Sequence, residues 1–303
     1  MERNALLGFS LALLATATWG FLPIAAKAVL AVMDPTTFVW FRFAFASVGL
    51  FLWLAFAKKL PKPTACKSRW KHILLGVFGL TAYFVGSSYA LTLIEATTSQ
   101  VLWQLSPFTM MICGVVIFKE QFGKHQKIGL ALLMIGLLAF FNDRVDALFQ
   151  LNAYGIGVVI GAISSVVWVS YGVAQKLLLA KFSAQQILLL IYCGCSVLLL
   201  LLAEFSQLNL LHGGVIAAFM FCCFSTFISY GAYAEALNYW DATKVSVVTV
   251  LIPIFTMAFQ AIRHQILPDN IPPLAMNSLS YFGAFIVIIG TMLSTLGDKL
   301  CKK

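Results

Sequence analysis

The chain has 303 residues, of which 61% are hydrophobic and 10% charged, with a mean hydropathy of +0.93. An ordinary soluble domain has about a quarter of its residues charged, so this composition excludes one. The lack of strictly alternating apolar/polar stretches of about ten residues excludes a transmembrane barrel. The formal charge of +9 is spread over short loops, which sets nucleic acid aside as a partner and points to membrane topology instead.

Ten apolar segments follow in chain order, at about 5–32, 36–57, 72–94, 97–118, 127–142, 153–175, 184–204, 213–237, 244–267 and 279–296. Most approach the roughly 20 residues that a bilayer core requires of a helix. The first is too long for a signal-peptide core and lacks a small-residue cleavage site, so it reads as a spanning helix. The longest connection, KKLPKPTACKSRWK at 58–71, is held open by Pro61 and Pro63 and carries six cations. With the N-terminus inside, sixteen Lys and Arg fall on the cytoplasmic side and only Arg144 and Arg263 on the other. That bias predicts an inner-membrane protein with both termini cytoplasmic.

Two stretches recur. EATTSQVLWQLSP at 95–107 is matched by DATKVSVVTVLIP at 241–253, and ATWGFLPIAAK at 17–27 by VVWVSYGVAQK at 166–176. Trp19 thus stands opposite Trp168, and Lys27 opposite Lys176. Ten helices divide into five and five, and an odd number per half turns the copies over. The expectation is an all-α membrane protein built as two inverted five-helix repeats around a central cavity, 1–142 and 153–303, joined by a linker at 143–152.

The seven cysteines show no zinc spacing; Cys113, Cys193, Cys195, Cys222 and Cys223 lie in apolar segments, and Cys66 and Cys301 in predicted cytoplasmic stretches. They read as small core residues or inert thiols. No HExxH, GxSxG, phosphate-binding loop or dinucleotide fingerprint is present, so no enzyme, cofactor or metal is expected.

Ionisable residues within spans are functional candidates because a charge at mid-bilayer costs about 2.5–3.5 kcal/mol. Trp19, Pro23 and Lys27 share one helical face at i, i+4 and i+8. Lys27 either adds a cation to a cavity or snorkels to the outer interface. Arg42, within WFRFAF, is either a structural arginine or a guanidinium that clamps a carboxylate or phosphate with paired hydrogen bonds. Glu235, within YAEAL, is the one acid assigned to a span, and it could bind a proton or pair with a lysine. Gln100, Trp103, Gln104 and Pro107 fall on one face, with Ser246, Thr249 and Pro253 on the matching face of the second copy. Such amides and hydroxyls suit a polar cavity wall, and equally serve to hold helices together. Tyr83, Ser87, Trp168, Tyr171, Gln175 and Tyr230 are further candidates for substrate contact. Pro23, Pro107 and Pro253 are candidate hinges, since each frees a backbone carbonyl.

The chain resembles EamA-type members of the drug/metabolite transporter superfamily. The resemblance rests on TWGFLPIAAK at 18–27, Pro35 with Arg42, YALTLIEATTSQVLWQLSPF at 89–108, FKEQFGKHQKIGLALLMIG at 118–136 and YAEALNYWDATKVSVVTVLIPIF at 233–255. It implies a basket of ten helices around a central cavity, with the fifth and tenth supporting it from outside. There are departures: Ile266 stands where the first half has Glu120, Arg42 has no counterpart, and LPDNIPPL at 267–274 is inserted. The first helix also lacks the glutamate with which small four-helix relatives couple cation export to protons.

The expected function is a secondary transporter working by alternating access and exporting small polar metabolites such as amino acids. A nucleotide-sugar or sugar-phosphate exchanger, an uptake carrier, and a lipid-carrier translocase or membrane scaffold are the alternatives. Expected partners are a small-molecule substrate, membrane lipids and a proton or other coupling ion, in a monomer or homodimer.

Overall fold

In runs this apolar, backbone N–H and C=O groups find neither polar side chains nor water, which leaves the helix as the local solution. A computed structural model describes residues 5–119, 123–143, 152–239, 245, 248–266 and 276–300. Ser246, Glu120, the 267–274 insertion and most of the 143–152 linker lie outside the described residues. The helices are α1 (Ala5–Val29), α2 (Pro35–Phe56), α3 (Pro63–Ser68), α4 (Trp70–Leu93), α5 (Ala96–Trp103), α6 (Leu105–Phe118) and α7 (Lys124–Phe140). They continue with α8 (Ala153–Leu178), α9 (Ala184–Leu199), α10 (Gly213–Tyr239), α11 (Ile252–Ile266) and α12 (Ser278–Leu300). Among the described residues the architecture is all-helical.

Among the described residues six stretches are long and apolar enough to cross a membrane: Leu6–Val29, Pro35–Phe56, Trp70–Leu93, Ala96–Ile117, Ala153–Leu178 and Gly213–Tyr233. Ala184–Leu199 and Ser278–Ser294 are shorter apolar helices. Outward faces carry Trp53, Phe56, Leu138, Val197 and Phe282, all exposed. So much outward apolar surface suits acyl chains rather than water.

Helix starts are set by local chemistry. Asp34 accepts from the amides of Thr36 at 2.8 Å and Thr37 at 3.0 Å, with Pro35 in the first turn of α2. Asn152 accepts from the Gly155 amide at 2.9 Å at the start of α8, and Ser183 and Gln186 form a capping box on α9. Two elements had no counterpart in the apolar pattern. These are α3, inside the basic connection, and a 3-10 turn, Phe205–Leu210, just past the expected 184–204 segment, whose helix ends at Leu199.

The segment expected as one helix over 97–118 is divided between α5 and α6 at Gln104. Pro107 lacks the amide that would bond the Trp103 carbonyl four residues earlier. The Gln104 amide instead takes the tighter bond to the Val101 carbonyl, at 3.2 Å. In the second half the Leu251 amide bonds the Val248 carbonyl at 3.1 Å, immediately before α11, which holds Pro253 in its first turn.

Helices pair across the chain: α1 packs on α10 and α11, α4 on α8, α2 on α9 and α10, α6 on α8, and α7 on α12. The α7–α12 seam depends on missing side chains. A Cβ on Gly136 would stand 2.7 Å from the Val287 amide nitrogen and 2.8 Å from the Gly283 carbonyl, and one on Gly290 would stand 2.7 Å from the Gly129 carbonyl. Small residues that let backbones approach in this way are a main source of association between helices in lipid. Gly157 and Gly161 serve the same end where α8 passes the end of α4: a Cβ on Gly157 would meet Leu93 and Ile94 at 2.7 Å.

Replacing Gly136 by Val is expected to force α7 from α12. The cost should be about 1–3 kcal/mol, as for overpacked cores generally, read as a lowered Tm of the detergent-purified protein.

Candidate functional site

α2 turns almost every side chain around Arg42 into the core: Phe38, Val39, Phe43 and Ala46 are each 0% exposed, and Arg42 itself is 6% exposed. Its guanidinium carbon lies 4.8 Å from the centre of the Phe84 ring and 5.4 Å from that of Phe38. Such contacts favour a cation over an aromatic face. Nε donates to Thr226 Oγ1 on α10 at 3.1 Å, and that hydroxyl donates in turn to the Cys222 carbonyl at 3.0 Å. Among the described residues no carboxylate forms an ion pair with Arg42, and its two terminal nitrogens make no hydrogen bond.

An aromatic wall surrounds this cation. Trp19 of α1 meets Tyr230 at 5.3 Å and Tyr233 at 5.6 Å. Tyr83 of α4 packs on Trp103 at 5.1 Å, Trp103 on Trp168 at 4.9 Å, and Trp168 on Tyr171 at 5.7 Å. Phe43 bridges Phe84 at 4.8 Å and Tyr192 at 5.4 Å. Tyr83, Tyr192 and Tyr230 lie within electrostatic reach of Arg42. Tyr83 and Tyr230 are themselves half-buried. Side chains from α1, α2, α4, α5, α8, α9 and α10 therefore converge on one place.

Trp19, Arg42, Tyr83, Trp103, Trp168, Tyr171 and Tyr230 all belong to that cluster. Ser87 lies beside Tyr83, its hydroxyl bonded to the Phe84 carbonyl at 3.2 Å. Gln104, 3% exposed, sits at the α5–α6 break. Neither it nor the half-buried Gln100 and Gln175 makes a side-chain hydrogen bond to the described residues. Thr249 is half-buried, just before α11. Pro23 and Pro253 are buried, whereas Pro107 is exposed, so its ring turns away from the face expected to hold Gln100 and Trp103. The break at Gln104 explains this, because it interrupts the spacing on which that face was drawn.

Two charged candidates lie elsewhere. Lys27 is exposed, and its Nζ donates to the Ile94 carbonyl where α4 ends, beside Glu95. It satisfies a helix terminus of the kind that otherwise lacks a partner. Glu235 is exposed, on α10 two residues after Tyr233. Lys176 is likewise exposed, in the last turn of α8.

A separate groove of about 280 Å³ runs between α2 and α10, lined by Phe41, Ala44, Phe45, Val48, Phe219, Met220 and Cys223. Exposed Val48 and Met220 place its mouth on the outward face of the bundle. Among the described residues no group of three or more His, Cys, Asp or Glu could hold a metal ion.

Sequence reading missed Tyr192, along with Thr226, Phe38, Phe43, Phe84 and Tyr233. Tyr192 sits in an apolar run, LLLIYCGCS, with no repeat partner to single it out.

The sequence comparisons decide the family. The EamA-like transporter family matches residues 6–142 and again 155–296. The chain belongs to the EamA-like transporter family. A Haemophilus influenzae protein described as an uncharacterized transporter is 48% identical over 99% of this chain and 98% of its own length. The Escherichia coli inner membrane transporter YhbE, also described as uncharacterized, is 40% identical over 99% of this chain and 94% of its own. A more distant Escherichia coli protein, described as a "probable amino-acid metabolite efflux pump", is 21% identical over 95% of this chain. One solved structure superposes over the full length of both chains with a TM-score of 0.63 at 17% identity, a likeness of fold alone. The family and these relatives are transporters rather than enzymes.

Thr226→Val should leave Arg42 Nε without its acceptor and destabilise the fold by about 1–3 kcal/mol, the usual cost of a buried group left unpaired. Thr226→Ser should recover most of it. Thermal unfolding of the three proteins side by side checks both.

Proposed function

We propose that this EamA-family protein is a secondary transporter of the inner membrane that exports small polar metabolites such as amino acids by alternating access. The carrying observation is Arg42, a buried guanidinium without an acidic partner among the described residues, walled by Trp19, Tyr83, Trp103, Trp168 and Tyr230. A bundle bears the cost of burying such a cation where an anionic group of a ligand completes it. Aromatic faces around it give a small organic molecule its contact area.

The mechanism proposed is that of two inverted five-helix repeats enclosing one site. Exchanging the halves turns the α1–α10 contact into α8–α4, turns α1–α11 into α8–α6, and maps α2–α9 and α7–α12 onto themselves. The paired family matches, one in each half, support the same view. In this reading both termini are cytoplasmic, Trp19 and Trp168 are equivalent wall positions, and a proton or other ion drives the cycle. The distant efflux relative supports export of amino-acid-like solutes.

Lipid translocation has one observation in its favour, the outward-facing groove between α2 and α10. Its lining is almost wholly apolar, with the Cys223 thiol the most polar group in it, so it offers a headgroup no polar route. Metabolite transport is the better fit.

Purified protein in liposomes, screened against labelled amino acids and related metabolites under proton and sodium gradients, tests this reading. Gradient-dependent flux of at least one solute is expected, and no flux of any would refute it. Trp103→Ala and Gln104→Ala should each reduce that flux about tenfold, in line with losing a contact worth about 1.4 kcal/mol. Unchanged flux in both would remove this wall from the site.

A further inference from the structure

The polar groups left unsatisfied around Arg42 share one character: each is able to donate. The terminal nitrogens of Arg42 have no acceptor among the described residues, and they are donors only. Ser229 Oγ is fully buried without a partner, one helical turn beyond the Thr226 that holds Arg42. The indole Nε1 of Trp168, also a donor only, is buried and unpartnered within the aromatic wall. Among the described residues no carboxylate pairs with Arg42. Glu95 is beside Lys27 at the end of α4, and Glu235 on α10 is exposed. Asp34 Oδ2, a buried acceptor without a partner, is at the cap of α2. That is eight residues before Arg42, or about 12 Å along the helix axis.

A buried cation with no carboxylate beside it among the described residues selects by charge. A carboxylate offers two oxygens that accept paired hydrogen bonds from a guanidinium and further bonds from a hydroxyl or an indole. An ammonium would meet a like charge, which neutral hydroxyls, amides and aromatic faces offset less well than a carboxylate would.

We propose that the Arg42 site takes monocarboxylate anions with a compact apolar body, and that the carboxylate, not the amino group, is the element recognised. This rests on the transport reading above and narrows its substrate class: the amino group of an amino acid is tolerated rather than required. The carboxylate bonds to the Arg42 terminal nitrogens while the body lies against Tyr83, Trp103 and Tyr230.

The test uses isocaproate, leucine and isoamylamine, which share one branched skeleton and differ only in their charged ends. Binding to the full-length protein in detergent is read from quenching of its tryptophan fluorescence and from the ligand-induced rise in Tm. Isocaproate should bind at least as tightly as leucine, and isoamylamine about tenfold or more weaker than either, the scale expected when like charges meet in a desolvated site. Arg42→Gln should lose about tenfold or more in isocaproate affinity, with Arg42→Lys retaining part of it. Should Arg42→Gln fail to fold, Trp168→Phe serves in its place and should weaken isocaproate while leaving isoamylamine unchanged. Isoamylamine binding as well as isocaproate, no binding by any of the three, or a folded Arg42→Gln that binds isocaproate like the parent would each overturn the proposal. Flux of amines in liposomes would overturn anion selection while leaving transport standing. Isocaproate binding with no flux of any solute would do the reverse.

Discussion

A guanidinium never gives up its proton in a protein, so burying one inside an apolar bundle obliges the surroundings to accommodate a full positive charge. Around Arg42 the described bundle does this without an acid. It supplies a hydroxyl to one nitrogen, two ring faces to the π surface and a set of tyrosines within electrostatic reach. The aromatic wall answers that one constraint. An unneutralised cation in an apolar bundle also needs water or an anion beside it.

The wall is assembled from helices that are far apart in the chain. Trp103 reaches it because α5 stops at the next residue, where Pro107 has removed a backbone bond and the chain redirects into α6. Trp168 reaches it from α8, which packs along α4, and Tyr230 from α10, which packs along α1. Local breakage and long-range pairing thus place three side chains that no single helix could present together.

Much of this was legible in the sequence. Long apolar runs mark helices because lipid leaves the backbone no other partner, and Trp19 and Trp168, singled out by their matched segments, both stand in the aromatic cluster. Arg42 was visible as the one guanidinium with apolar neighbours on both sides. Other features were not. The outward turn of Pro107 depends on where the helix breaks, a geometric outcome that regular spacing does not encode. Tyr192 joins the cluster only because α9 lies across α2. Lys27 looked like a cavity cation by helical phase, yet its long side chain reaches the open end of α4, a contact between elements that no single-helix pattern contains. Glu235, assigned to a span by composition, lies on α10 with its side chain exposed, a facing that composition does not encode.

The glycine contacts between α7 and α12 have a mechanical meaning. The two helices touch through backbone atoms, at Gly136 against Val287 and Gly129 against Gly290, with little flexible side chain between them to absorb displacement. Each belongs to a different half of the chain, so backbone contact ties the two halves together there. Backbone atoms have no rotamer to change, which makes this seam resist sliding more than one built from long side chains would.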